Sequence, residues 1–312
     1  MTTVRTLRAR LWALVRLGRL PYLAGGFLMH GLGVAMALYA GAPLNLPALL
    51  WGQLAITATQ LMVHYSSEFF DQAADRANPT PTRWAGGSRV LTDGHLPPGV
   101  ALATAIVLGG LALAAALVLA LAVRPGLLTL GLLLLAPLLG WGYSAPPLRI
   151  DARGLGELTV AFLVPGLTPF VGFYLQAGAA RPLPLLAVLP LCCLQVATQL
   201  ATEFPDATGD AATGKRTLVV RLGSPGAARL HNLLLLAAYG LLPLLVPAGL
   251  PPLVAAAACL SAPVALWQAW RVGRGAWADP TRWDSLAFWG IGLLMATAAA
   301  ETLAFLWLLA SS

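Results

Sequence analysis

The chain has 312 residues, 58% of them hydrophobic and 10% charged, with a net charge of +7. Between Arg229 and Arg271 lie 41 residues without a formal charge, and between Asp93 and Arg124 lie 30 more. A bilayer core takes roughly 20 apolar residues per helix, so these runs exclude a pair of soluble domains. Their continuity also argues against a β-barrel, whose strands alternate in polarity over about ten residues. An all-α membrane protein is expected, folded as a single domain over residues 1–312.

Residues 1–19 carry Arg5, Arg8, Arg10, Arg16 and Arg19, with Leu7, Leu11, Leu14 and Val15 at helical spacing between them. The pattern predicts a basic helix lying in the inner interface. The segment has no short apolar core ending in small residues, so a cleavable signal is not expected. Nine spans follow, near 20–40, 46–67, 99–123, 126–145, 158–179, 182–202, 230–248, 251–270 and 285–309. The seventh and eighth are separated at "VPAGLPP" (246–252), where three prolines and a glycine stop a helix.

If odd-numbered spans start inside, 17 of the 19 basic residues fall on the cytoplasmic side, and only Arg124 and Arg181 fall outside. This bias satisfies the positive-inside rule. It predicts a multi-pass protein of the inner (plasma) membrane with a cytoplasmic N-terminus. The net charge then reports topology and anionic membrane lipid, with no nucleic-acid partner implied. Cys192, Cys193 and Cys259 fall within spans and have no disulfide or zinc spacing, which fits small apolar packing residues.

Half of the 12 acidic residues sit in two octets, "EFFDQAAD" (68–75) and "EFPDATGD" (203–210), which close the second and sixth spans. Four spans apart, both octets emerge on one face, cytoplasmic by the arginine count. On a helix Glu68, Asp71 and Asp75 would form one stripe, with His64 a turn earlier. Glu203, Asp206 and Asp210 repeat the spacing, although Pro205 is expected to bend or end that helix. The likeness predicts two parallel internal repeats. Solvated helix ends are one reading of such acids. The other is a metal site: clustered carboxylates suit Mg²⁺, which binds one or two of them together with waters and a substrate phosphate.

Three basic stretches share that face. "RWAGGSR" supplies Arg83 and Arg89 around a Gly-Gly pair able to present backbone N–H groups to an anion. "GKRTL" supplies Lys215, the sole lysine, with Arg216, and "YSAPPLR" supplies Tyr143 and Arg149. Each is also where topology alone would place arginine. Together with the acids they describe a pocket for a metal-bridged diphosphate.

At these residues the chain resembles the UbiA superfamily of intramembrane prenyltransferases, over roughly residues 16–305. The resemblance rests on the two octets, on "YSAPPLRIDARGLGE" (143–157) and on "DAATGKRTLVVRLG" (210–223). "GGSRVLTDGHLPP" (86–98) and "RGLGE" are most similar to 1,4-dihydroxy-2-naphthoate polyprenyltransferases, which make menaquinone precursors. The family opens each motif with Asn-Asp, where this chain has Ser67-Glu68 and Thr202-Glu203. The resemblance implies a bundle of about nine helices with cytoplasmic segments over the active site. It implies Mg²⁺ held by Asp71, Asp75, Asp206 and Asp210 with help from Glu68 and Glu203, and diphosphate bound by Ser67, Arg83, Arg89, Arg149, Thr202, Lys215 and Arg216. The reaction would transfer a polyprenyl group from its diphosphate to an aromatic acceptor. Tyr143, Trp141, Tyr65 and Phe69 are candidates to face the allylic cation, the interfacial aromatic belt being their other reading. Alternatives remain: family members acting on 4-hydroxybenzoate, homogentisate, haem or chlorophyllide, and, in a different class, a cation-coupled transporter. Glu301, near the outer end of the ninth span, is expected to make an interhelical hydrogen bond.

Overall fold

A computed structural model describes the backbone of residues 2–311 and the side chains of residues 8–311. The Arg5 and Leu7 side chains and the terminal residues Met1 and Ser312 lie outside the described residues. Fifteen α-helices follow in chain order among those described. They are α1 (Thr2–Leu17), α2 (Leu23–Tyr39), α3 (Leu46–Phe70), α4 (Gln72–Ala77), α5 (Pro98–Val118), α6 (Leu127–Ser144), α7 (Gly156–Ala161) and α8 (Thr168–Ala177). Then come α9 (Pro182–Glu203), α10 (Ala207–Ala212), α11 (Leu218–Gly240), α12 (Leu242–Leu245), α13 (Pro252–Cys259), α14 (Ala262–Gly273) and α15 (Trp283–Ser311). Eight described helical stretches are long and apolar enough to cross a membrane. A ninth is formed if α13 and α14, bent by 43° at Leu260 and Ser261, count as one span.

Leu121, Leu127, Leu260 and Val107 stand exposed on the outside of the bundle, as lipid-facing leucine and valine do when every backbone group is satisfied within helices. Inside, small residues set the packing, as is usual where lipid gives helices no hydrophobic reason to associate. The clearest case is the crossing of α2 on α8. A Cβ on Gly33 would collide with the Pro169 carbonyl, and one on Gly172 would lie 2.7 Å from the His30 carbonyl. The inner ring of α2, α3, α6, α7–α8, α9 and α15 surrounds a cavity. Helices α5 and α11–α14 pack outside that ring.

Three details differ from expectation. The seventh span starts at Leu218 rather than near 230. Thr217 accepts the Val220 N–H, and the backbone breaks at Gly223 (φ 69°, ψ 153°) beside Pro225 before the helix continues to Gly240. The stripe of Glu68, Asp71 and Asp75 is split, because α3 ends at Phe70 and α4 restarts at Gln72. Glu301 makes no interhelical hydrogen bond: it is buried and its Oε2 has no partner. One turn away, Thr297 donates to Leu293 O, Ser261 Oγ lies 2.7 Å from Thr297 Oγ1, and Tyr239 Oη lies 2.9 Å from Ser261 Oγ. Those hydroxyl hydrogens serve one another and the backbone, which leaves no donor for the carboxyl. The three cysteines are free thiols.

Gly33→Ala should lower the melting temperature of the detergent-solubilised protein by several degrees, since overpacking typically costs about 1–3 kcal/mol. Gly31→Ala, on the same helix with nothing within 4 Å of the added methyl, should leave it unchanged. Equal melting of the two variants would show that the α2–α8 crossing is not close-packed.

Candidate active site

Each acidic octet turns a corner. Helix α3 stops at Asp71 (φ −91°, ψ 3°) before α4 begins, and α9 stops at Glu203, with Pro205 in the turn to α10. The two short helices then meet at Gly209. A Cβ there would lie 2.8 Å from Asn78 N and 3.0 Å from Ala74 O, so only glycine allows that approach. Asn78, at the end of α4, donates to Asp206 Oδ1 at 2.6 Å. The octets are thereby joined across the two repeats.

The cavity has a volume of about 490 Å³. Its inner end is lined by Asp71, Asp75, Asp206 and Asp210, with Lys215, Tyr143, Ser67 and Thr202 around them. Lys215 Nζ lies 2.9 Å from Asp151 Oδ2, 3.6 Å from Asp71 Oδ1 and 3.9 Å from Asp210 Oδ1. One ammonium thus bridges both motifs and Asp151. Burial opposes its charge, but Asp71, Asp151 and Asp210 outweigh burial and hold the lysine well above the ordinary range.

The carboxylates are under-neutralised. Burial, then Glu68, Asp71 and Asp206, push Asp75 up to about 8. Burial, only partly offset by Lys215, raises Asp210 to about 7 and Asp206 to about 6, the latter also restrained by the Gly86 N–H and Arg19. Among the described residues no three acids, histidines or cysteines converge closely enough to hold a metal by themselves. The lysine, not a protein-only metal cage, occupies the middle of the cluster.

The two glutamates also line the cavity and make further contacts. Glu68 accepts from Ser88 N and Ser88 Oγ, both at 2.7 Å, and pairs with Arg19 Nε at 3.4 Å. Both of its oxygens thereby hold the loop after α4. Glu203 borders the cavity beside Glu157, which accepts Leu218 N at 2.5 Å, and Glu203 Oε2 and Glu157 Oε2 have no hydrogen-bond partner among the described residues.

The arginines are corrected. Arg83, Arg89, Arg149 and Arg216 do not line the cavity. The Arg83 guanidinium sits over the Trp84 ring, Arg89 donates to the Asp75 carbonyl, and Arg149 and Arg216 are exposed. Positive-inside bias places arginines on this face whether or not a site needs them. Of the proposed aromatics only Tyr143 lines the cavity. Phe69 and Trp141 pack on Phe70, and Tyr65 donates to Leu14 O.

Arg19 is the cavity arginine that the sequence reading left in the basic N-terminal segment. It adopts φ 47° at the break between α1 and α2. Three α3 side chains reach backbone carbonyls around that break: Tyr65 to Leu14, His64 to Gly18 and Gln60 to Tyr22. Trp84 and Tyr22, in edge contact, also line the cavity. The Gly-Gly pair does line the site, with Gly86 (φ 81°) and Gly87 (φ 71°) in the left-handed region; a Cβ on Gly87 would collide with the Asp75 carboxylate.

A deep intramembrane cavity ending in clustered carboxylates and a lysine defines a membrane enzyme site for an anionic headgroup with an apolar tail. The sequence profile of the UbiA prenyltransferase family matches residues 28–291, and the chain belongs to that family of prenyltransferases. Among solved structures, the apo form of a UbiA homologue from Aeropyrum pernix K1 is similar at a TM-score of 0.67 and 18% identity, over 91% of this chain and 97% of that one. A UbiA homologue from Archaeoglobus fulgidus bound to GPP and Mg²⁺ is similar at 0.62 and 17% identity, over 96% and 99%. A digeranylgeranylglyceryl phosphate synthase is similar at 0.64 and 14% identity, over 95% and 98%. No curated protein sequence matches.

Glu68→Ala should free the loop after α4, which also holds Arg83 and Arg89. Charge-assisted hydrogen bonds contribute about 1.5–3 kcal/mol, so trypsin should cut after those arginines roughly tenfold faster or more, with the helical bundle intact. Unchanged cleavage would show that Glu68 does not secure the loop.

Proposed function

We propose that the chain transfers a polyprenyl group from polyprenyl diphosphate to 1,4-dihydroxy-2-naphthoate, with Mg²⁺, making a menaquinone precursor. The donor's C–O bond breaks to release diphosphate, the new C–C bond forms at the carboxylate-bearing ring carbon, and the carboxylate leaves as CO₂. The carrying observation is the joining of both aspartate pairs in one cavity whose deeper walls are apolar. The acceptor rests on the likeness of "GGSRVLTDGHLPP" and "RGLGE" to naphthoate enzymes. The Archaeoglobus fulgidus homologue bound to GPP and Mg²⁺ supports the donor and the metal.

The donor set fits Mg²⁺. Among the described residues Asp75 and Asp210 present carboxylate oxygens without hydrogen-bond partners, and burial first, then neighbouring carboxylates, opposes their ionisation in the absence of a further cation. Mg²⁺ usually binds through one or two carboxylates, several waters and a substrate phosphate, so a three-acid cage is not required. Asp71, Asp75, Asp206 and Asp210 would hold it, and its charge would offset that of the departing diphosphate.

The chain's own groups supply the remainder. Lys215 and Arg19 are cations at the same end and stabilise the diphosphate oxygens as negative charge develops on them. Ser67 and Thr202 stand at matching positions of the two repeats; Ser67 accepts from Ser144 and keeps its own hydrogen for a phosphate oxygen, while Thr202 donates to the Gln199 carbonyl and would turn from it to do the same. The Tyr143 ring faces the cavity where an allylic cation would form. The apolar walls, including Leu132, Leu133, Leu163 and Leu167, take up the tail at about 0.8 kcal/mol per buried CH₂ and exclude the water that would quench the cation. The active site faces the cytoplasm in the inner membrane, by the distribution of arginines.

Asp75→Asn and Asp206→Asn should each lower Mg²⁺-dependent diphosphate release by about 10²-fold or more, near the 10²–10³ typical of losing a group that stabilises transition-state charge. Melting in detergent should remain within a few degrees. Near-normal release by either variant would defeat the assignment of these aspartates. Mass spectrometry of lipid products from a panel of aromatic acids should show prenylated naphthoate, and a different prenylated ring would replace the acceptor.

A further inference from the structure

The transfer reaction proposed above requires an electron-rich ring beneath the bond that breaks, and on that reading we propose that His64 receives the acceptor: its Nε2 accepts a hydrogen bond from an aromatic hydroxyl of the substrate. His64 lies on α3, seven residues before Asp71, which at ~1.5 Å per residue is about 10 Å deeper than the acids. It lines the same cavity.

The tautomer is set by geometry. His64 Nδ1 is 2.8 Å from the Gly18 carbonyl oxygen, and a carbonyl only accepts, so Nδ1 carries the hydrogen. In the neutral ring Nε2 is then a bare lone pair. Among the described residues Nε2 has no partner, yet it is not sealed in. His30 provides the contrast: it bonds Gln53 through Nδ1, and its Nε2 is both unpartnered and fully enclosed. The His64 lone pair therefore opens into the cavity. The ring is also fixed in orientation, with Tyr22 edge-on at 6.1 Å and 72°.

The second repeat places a polar group on the same rung. Gln199 precedes Asp206 by seven residues, as His64 precedes Asp71, and Gln199 lines the cavity too. Gln60, His64, Gln195, Thr198, Gln199 and Thr202 are the polar cavity-lining groups of the spans α3 and α9 at this depth, whereas α6 and the segment joining α7 to α8 contribute Leu132, Leu133, Leu163 and Leu167. A hydrocarbon tail gains nothing from an open lone pair, and leaving one unmet in a dry cavity is unfavourable. A hydroxylated ring meets it. By accepting that hydrogen bond His64 both orients the ring and enriches it in electron density, with no proton transferred.

The test uses the full chain in nanodiscs with saturating polyprenyl diphosphate and Mg²⁺, varying two acceptors: the dihydroxy acid and the same acid with its hydroxyls methylated. The wild type should prefer the free hydroxyls by about 10–100-fold in kcat/KM, the range expected when a buried polar group loses its partner. His64→Phe should lower kcat/KM for the hydroxylated acceptor at least tenfold, change the donor KM less than twofold, and bring the preference close to one. Loss of the Gly18 bond alone would slow both acceptors alike and keep the preference, and that result overturns the proposal. If His64→Phe does not fold, His64→Leu gives the same readout. A wild type that prenylates no hydroxylated ring would instead defeat the reaction proposed above, so the two failures are distinguishable.

Discussion

One buried ammonium organises the inner end of this protein. Lys215 is placed by its own backbone, which donates to Asp210 O at 2.9 Å, and by Arg216 N, which donates to Ala152 O at 3.1 Å. Its side chain then meets Asp71 from the first repeat, Asp210 from the second and Asp151 from the loop after α6. Removing one partner from a buried charge cluster is far more harmful than the pair is stabilising, because the remaining charges lose compensation. Lys215 and Arg19 together face more carboxylates than two cations can neutralise when all of those acids are ionised. That surplus makes the site receptive to further cations and keeps it from being a finished structural salt bridge.

The repeats explain how this surplus is held at a membrane surface. In both, a long helix ends one residue or one turn before its aspartate, and a six-residue helix turns back across the end of the bundle. Gly209 lets these two short helices touch. The corner removes Asp75 and Asp210 from the membrane spans, where an isolated carboxylate costs roughly 2.5–3.5 kcal/mol at mid-depth, while leaving them facing the cavity below. Cavity walls inherit the same pairing: each repeat gives one hydroxyl at Ser67 or Thr202 and one deeper polar group at His64 or Gln199.

The spans and the two acidic groups were legible because both are properties of local composition: apolar runs of fixed length, and acids where a helix leaves lipid. Arg19 was not legible, since its role depends on a break in the chain where distant side chains on α3 reach the backbone carbonyls. Asp151 was overlooked among arginines in "LRIDARG", although it makes the shortest of the three lysine contacts. Four arginines were over-read for the opposite reason. Topology and phosphate binding demand the same residue type on the same face, so sequence position cannot separate them. Glu301 shows a further limit: nearby hydroxyls exist, but their hydrogens are committed elsewhere.

The two motif glutamates show why the chain departs from an Asn-Asp opening without losing symmetry. Glu68 reaches outward to Ser88 and holds the loop that carries Gly86 and Gly87 against the acids. Glu203 lies beside Glu157, which accepts the first N–H of α11 and so fixes the helix that follows the Lys215 loop. A carboxylate on a longer arm can span from the helix end to a neighbouring segment, which a shorter aspartate at the same site would not reach. In the first repeat the glutamate secures the segment covering the cavity, while in both repeats the two aspartates line the cavity itself.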